Sequence, residues 1–545
     1  MLSTRCPSSA TLALGLLFGL TAASAFGAQA PPPVVEPQPM VEVPAPGPAD
    51  GKWLVDENGV EYFLQEVPKI EGTYKWIGDR RIQLSYGLKF DVAREDEKAF
   101  YVKVYRPRPE IREPKPVVSK EPVEPFSVPA TSRLQFTAFE EGLPKRGQWR
   151  NGFELVDIDG DGHRDIVHPP IRKGNGWPQF FLGDGKGGWK LWDKLGFPSV
   201  KLDYGDAEVA DFNGDGNLDV AFAMHLRGTL VFIGDGKGKF TEWSRGTDFS
   251  RPEMDEGPSS FSSRELESVD WNGDGRLDLL LLGEGPRMAR QTAAGDPAFQ
   301  GGALGIVVYL NQGDGGWQRL RLEGNARQNY GDSLAVGDFN GDGITDVVTA
   351  SSAMGRKDIL NLGQADRTWT MQSIEALPTN AMFRAVTTKD FDRDGRLDLA
   401  VGYVAAGGGG QWSTGVDVLL ARPEGAWERR KLVTQPGREG IWSLASGDLD
   451  GDGNADLVAG TGEGNVWVLL GKGDGDFTRE AAEGVASFET YCTAYHVGLA
   501  DLDGVRGDEL VIGFAGESGS EIMFPGGTAR CTTNGSLRAW RAVTR

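Results

Sequence analysis

Asp157-Ile-Asp-Gly-Asp-Gly-His-Arg-Asp165 is the first of six copies of one pattern, Asp-x-Asp/Asn-x-Asp-Gly-x-x-Asp, in a chain of 545 residues. The others run Asp211 to Asp219, Asp270 to Asp278, Asp338 to Asp346, Asp390 to Asp398 and Asp448 to Asp456. A seventh, altered copy starts at Asp501, with Val505 for the fifth-position Asp and Glu509 for the ninth. Carboxylates this crowded repel one another unless a cation lies among them. Calcium takes roughly six to eight hard oxygen ligands in a flexible cage. The candidate ligands are Asp157, Asp159, Asp161 and Asp165; Asp211, Asn213, Asp215 and Asp219; Asp270, Asn272, Asp274 and Asp278; Asp338, Asn340, Asp342 and Asp346; Asp390, Asp392, Asp394 and Asp398; and Asp448, Asp450, Asp452 and Asp456. The implied cofactor is Ca2+ at about six sites, with the seventh loop expected to be empty or weak. An Asp/Gly-rich turn holding no ion is the alternative, and it explains one copy more easily than six. Gly at position six, as in Gly162 and Gly343, lets the chain turn sharply around an ion.

The pattern begins like an EF-hand loop but lacks the Glu required at position twelve. That position holds His168, Phe222, Leu281, Thr349, Val401 and Ala459. The flanks are wrong for helices as well. Leu279-Leu-Leu-Leu, Val347-Val-Thr-Ala and Leu457-Val-Ala are short apolar runs that read as buried strands. Each loop therefore joins two strands.

The first Asp recurs every 52 to 68 residues, which suits a four-stranded propeller blade. A second marker recurs after each strand pair, a Gly-rich turn followed by an aromatic: Gly183 to Trp189, Gly234 to Phe240, Gly313 to Trp317 and Gly473 to Phe477. These read as hairpins between the outer two strands. In these elements the chain resembles the FG-GAP/VCBS repeat family, known best from the propellers of integrin α subunits. The resemblance covers residues 132–545 and implies an all-β fold, a seven-bladed β-propeller with calcium loops between the first two strands of its blades. It does not choose a function, because related domains serve adhesion, sugar binding and enzymes alike. The last blade is expected to use Glu509-Leu-Val-Ile, Ile522-Met-Phe and Leu537-Arg-Ala-Trp, while Leu134-Gln-Phe-Thr-Ala-Phe either closes the ring or lies outside it.

Residues 1–25 read as a secretory signal: Arg5, the apolar run Leu12 to Leu20, then Ala23-Ser-Ala25 before the cut. The run is too short to span a bilayer, and no later segment is long and apolar enough. The expected address is the periplasm, cell surface or exterior of a bacterium. Of the three cysteines, Cys6 leaves with the signal, and an exported Cys492 and Cys531 are expected to pair. A formal charge of −21 argues against nucleic acid as a partner. Much of that charge sits in the loops, so it says little about other partners. Two Pro-rich linkers, 26–50 and 107–131, flank a segment at 51–106 whose alternating pattern predicts a small β module preceding the propeller. It belongs to no recognised family.

In a propeller the loops entering the first strand and leaving the second share the face opposite the calcium loops. Trp149, Arg150, Tyr204, Arg264, Tyr330, Arg384, Trp442, Tyr495 and His496 precede the first strands and should ring the channel mouth. Aromatic faces with Arg suit sugar rings and acidic groups. Packing between neighbouring blades is the competing role for the same side chains. Arg172, Trp177, His225, Arg227, Arg356, Tyr403 and Trp412 lie on loops leaving second strands. Two longer insertions, Phe249 to Arg264 and Arg287 to Gly302, belong to the third blade and either cover the mouth or are plain loops. No nucleophile elbow, zinc-protease motif or phosphate loop is present, and only four His exist. No catalytic residue can be named. The expected function is binding or adhesion to a glycan or envelope protein, with calcium structural. The alternatives are a lyase or dehydratase acting on acidic sugars at the mouth, and a scaffold in a cell-surface complex.

Overall fold

The computed structural model describes residues 54–55, 61–69, 74–78, 80–84, 89–105, 132–249, 261–285, 305–321, 330–407, 410–489, 491–516, 531 and 535–545. The signal, both Pro-rich linkers, most of the two third-blade insertions and Ile522-Met-Phe lie outside them. Two compact units divide at residue 110. In the first, six strands form one sheet in the order Leu54–Val55, Glu61–Pro68, Ala99–Tyr105, Lys89–Glu95, Arg81–Leu84, Tyr74–Gly78.

The second unit is a seven-bladed propeller of four-stranded antiparallel sheets. The third blade runs outward through Ser263–Val269, Asp278–Gly283, Ile306–Asn311 and Trp317–Arg321. All six residues of Asp278–Gly283 are buried, because each blade packs a neighbour on both faces and its middle strands see no water. That is why the strands after the loops are unbroken apolar runs rather than alternating ones. The core follows the same geometry: among the described residues, buried clusters lie between every pair of adjacent blades, the first and seventh included. The aromatics that follow the Gly-rich turns open the outer strands, as expected, and Trp189, Phe240 and Trp317 are buried.

The seventh blade decides between the two places open to the N-terminal strand. Its strands are Thr493–Ala500, Glu509–Ala515, Leu537–Thr544 and, outermost, Leu134–Ala138. Trp540 pairs with Ala138 and Thr544 with Leu134. The N-terminal strand thus closes the ring, and Leu537–Thr544 is the third strand of the sheet; the expected strand Ile522-Met-Phe lies outside the described residues. Closure in this way ties the N-terminal end of the propeller to its last blade by backbone hydrogen bonds. Helix is nearly absent, and among the described residues none is long and apolar enough to cross a membrane.

Candidate functional site

The loop face is built by its own carboxylates. In the third blade Asp270 Oδ1 accepts the N–H groups of Gly273 at 2.8 Å and Asp274 at 3.0 Å, and its Oδ2 accepts that of Gly275 at 2.9 Å. Gly275 sits at φ 85°, where a side chain would be strained. The ninth-position Asp does something the sequence pattern did not reveal. Asp278 is 0% exposed; its Oδ2 accepts the Trp271 N–H at 3.0 Å and its Oδ1 the Asn311 N–H at 2.8 Å. It therefore staples the loop to the third strand. Asp165, Asp219, Asp346, Asp398 and Asp456 repeat both bonds. Glu509 keeps one of them, from Leu502 N–H at 2.8 Å, which explains why an acid persists in the altered copy.

Three carboxylates converge to within 4.8 Å at Asp157/Asp159/Asp165, Asp390/Asp392/Asp398, Asp448/Asp450/Asp456 and Asp501/Asp503/Glu509. The loops at 211, 270 and 338 carry Asn at position three instead. These clusters could hold metal ions, and an all-oxygen donor set fits a hard cation such as calcium. In the seventh loop the Arg541 guanidinium pairs with Asp503 and, at 3.5 Å, with Glu509. A guanidinium so placed competes with an ion for the same oxygens. Arg422 makes a similar approach to Asp392 at 2.6 Å and Asp394 at 3.2 Å.

On the opposite face, most of the residues expected at the mouth form one connected belt. The Arg384 guanidinium lies 4.2 Å from the Trp442 ring, which meets Tyr495 edge-on at 5.2 Å. Arg150 lies over Tyr495 at 4.6 Å and Tyr204 at 5.5 Å, and Arg172 over Tyr204 at 5.7 Å. His225 stacks on Tyr204 at 4.9 Å, and its Nδ1 pairs with Glu284 Oε2 at 2.7 Å. Arg264 joins Glu284 and Asp332, both at 2.9 Å. Every blade contributes at least one member. Burial works to raise Glu284, but the His225 hydrogen bond and the Arg264 charge outweigh it and hold the carboxyl at about 2.

The belt is uneven in exposure. Arg150, Tyr204 and Tyr495 are buried, whereas Arg384, Trp442 and His225 are partly open. Trp149 lies in the core, 1% exposed, against His168 and Phe181. His496 meets Phe153 edge-on at 4.5 Å, and burial pushes its pKa down to about 4. Tyr330 packs over Gly285, where an added Cβ would stand 2.6 Å from its ring.

Sequence reasoning missed the acids of the innermost strands: Glu154, Asp206, Glu208, Glu265 and Glu267. Asp206 Oδ2 accepts the Leu266 N–H at 3.1 Å, and Glu265 Oε1 the Leu334 N–H at 2.9 Å. Each reaches from one blade to the innermost strand of the next. Glu208 Oε1 accepts the Ser268 hydroxyl at 2.5 Å. Burial pushes Asp206 and Glu208 up to about 7, and Glu154, Glu265 and Glu267 well above the usual carboxylate range. The signal was present as acids two residues apart, which share one side of a strand.

The FG-GAP-like repeat model matches residues 157–222, 211–281, 270–349, 338–401 and 448–504. The chain belongs to the FG-GAP-like repeat family. No curated protein matches it. Among solved structures it is similar to a chain of the Photorhabdus luminescens Tc holotoxin pore carrying the TccC3-D651A mutation, at 16% identity and a TM-score of 0.33. That likeness covers 85% of this chain and 17% of the other.

Proposed function

We propose that the protein is an exported, calcium-loaded propeller that binds a carboxylate-bearing glycan at its channel mouth and has no chemistry of its own. The observation that carries this reading is the belt of guanidinium and aromatic groups, with Arg384 and Trp442 at its open part. A guanidinium offers a planar fork to a carboxylate, and an indole face offers a platform to a sugar ring. Calcium is structural here: bound to the folded loops and not to the unfolded chain, it couples ion binding to folding. The metal ligands are those of the six intact loops. In the test, Arg384→Ala and Trp442→Ala are compared with the parent for retention on an immobilised acidic polysaccharide. Both should elute earlier. Equal retention of all three proteins would remove the mouth as the binding site, and an envelope protein would then be the partner to seek.

One arrangement favours a second reading. His225 is held through Nδ1 by an ionised Glu284, and its ring stacks on Tyr204. A His ring held in this way can take the proton next to a uronate carboxylate through its other nitrogen and start an elimination. Appearance of an unsaturated uronate product, abolished by His225→Ala, would select this reading over simple binding.

A further inference from the structure

The fifth blade is taller than its neighbours on the mouth side. Its second strand, Asp398–Ala406, has nine residues, against four in Asp346–Thr349 of the fourth blade and six in Asp456–Thr461 of the sixth. All three strands start at the ninth-position Asp of their loop, so the extra length lies wholly towards the mouth. Three residues beyond the sixth blade lift the fifth by about 10 Å there. Its third strand, Trp412–Arg422, begins at that raised end, with Trp412 paired to Ala406.

Trp412 is partly exposed, and the Arg438 guanidinium lies over its ring at 4.1 Å. The pair repeats a geometry of the belt, where Arg384 lies over Trp442 at 4.2 Å. One short segment joins the two pairs, because Arg438 and Trp442 are four residues apart. Four extended residues span at most roughly 14 Å. The segment is pinned at both ends. The Gly437 N–H bonds to the Trp412 carbonyl at 2.9 Å, and the Gly440 N–H bonds to the buried Thr414 hydroxyl at 2.9 Å. Both glycines have positive φ, 135° and 68°, which a side chain would resist. An added Cβ on Gly440 would stand 3.9 Å from Trp442 Nε1 and 4.0 Å from Arg384 Cδ, so the segment runs directly onto the inner pair. The outer pair is thus held at a fixed, short distance from the inner one.

Charge sets the ligand chemistry. The chain carries 78 acidic and 57 basic residues, so a carboxylate partner is easily found for an arginine. Arg438 is exposed, and among the described residues no carboxylate pairs with it. The adjacent acid, Glu439, is buried at 7% exposure and accepts the amide N–H groups of Gln435 and Asn465 at 3.1 Å each, so it does not neutralise the guanidinium. A guanidinium resting on an indole is held in place while its planar fork still matches a carboxylate. The indole beside it offers apolar surface to a sugar ring. Two such pairs in succession fit two successive sugars that each carry a carboxylate.

We infer that Trp412 and Arg438 form an outer subsite for a uronate, beyond the Arg384–Trp442 pair and on the raised edge of the fifth blade. It rests on the glycan reading of the channel mouth and extends it: the ligand is an acidic chain several sugars long that leaves the mouth between the fifth and sixth blades.

The test uses the full chain with calcium, oligogalacturonides of one to six units and a poly-glutamate control. Affinity is measured by isothermal titration for the parent, Arg384→Ala, Arg438→Gln and Trp412→Ala, each checked for an unchanged melting temperature. Arg438 is exposed, so its variant decides the matter if Trp412→Ala melts lower. The parent should bind the hexamer more tightly than the monomer. Arg438→Gln and Trp412→Ala should each lose about 3- to 10-fold on the hexamer, the share of one charge-assisted or stacking contact at a partly open site, and match the parent on the monomer. Arg384→Ala should weaken every length. If Arg384→Ala weakens binding but length gives no gain and Arg438→Gln equals the parent on the hexamer, the outer subsite is wrong and the mouth reading stands. If poly-glutamate binds as tightly as the hexamer, with the same loss in Arg438→Gln, the occupant is an acidic peptide and the saccharide subsite is wrong. If the parent binds no oligomer while Arg384→Ala still alters retention on an acidic polysaccharide, the outer subsite alone is wrong. If neither occurs, both fall.

Discussion

Glu208→Gln should make the protein more stable at pH 8 and leave it nearly unchanged at pH 4. Glu208 lies on an innermost strand beside Asp206, and burial raises its pKa from an ordinary 4.5 to about 7. A carboxyl raised on folding contributes its stabilisation fully below the unfolded value, near 4.5, and loses it as pH climbs through about 7. A rise from 4.5 to about 7 is worth about 3 kcal/mol. Channel water screens part of this, and Asp206 shares the titration, so about 2 kcal/mol is the expected net gain for the variant at pH 8. Gln keeps an oxygen for the Ser268 hydroxyl, so the inter-blade bond survives. Urea unfolding with saturating calcium at pH 4 and pH 8 reads the effect as a change in midpoint at constant slope. Equal midpoints for parent and variant at both pH values would refute the raised pKa and the partial burial beside Asp206 that causes it.

Two further predictions concern the loops and the bridge. Asp342→Ala and Asp346→Ala should separate metal binding from folding within one loop. The first should lower calcium stoichiometry by one with little effect in EGTA. The second strands the N–H groups of Phe339 and Gly363, each now bonded to Asp346 at 2.8 Å, and should destabilise even in EGTA by about 1–3 kcal/mol per orphan. Identical urea midpoints for the pair in EGTA would contradict the staple. Reduction of Cys492–Cys531, which closes a 39-residue separation, should cost about 2–4 kcal/mol and lower the melting temperature. An unchanged melt in reductant, with both thiols free by labelling, would show that the bridge does not constrain the unfolded chain.

The fold was legible because its signal is local and repeated. Nine residues specify the turn, the following apolar run specifies a strand buried on both faces, and the interval specifies a four-stranded unit. Ring closure was not legible because it depends on a pairing across some 400 residues, Leu134 with Thr544, which no local pattern encodes. The mouth was legible only as a set. Position near the start of the first strand placed Arg150, Tyr204, Arg384, Trp442 and Tyr495 on one face, although Arg384, Trp442 and Tyr495 lie within that strand rather than before it, and it did not tell which would be buried by a neighbour. Trp149 is adjacent to Arg150 in sequence but points into the core between the seventh and first blades. Asp278 and its equivalents fit the metal pattern so well that their backbone bonds went unseen.

The measurement that tests the account most directly is depletion of mature, calcium-loaded protein from solution by insoluble neutral and acidic polysaccharides, with an EGTA-treated control. The account predicts selective loss onto acidic polymers, and weaker loss in EGTA as the loops loosen. Protein left in the supernatant with every polymer, while still folded and calcium-loaded, would contradict it.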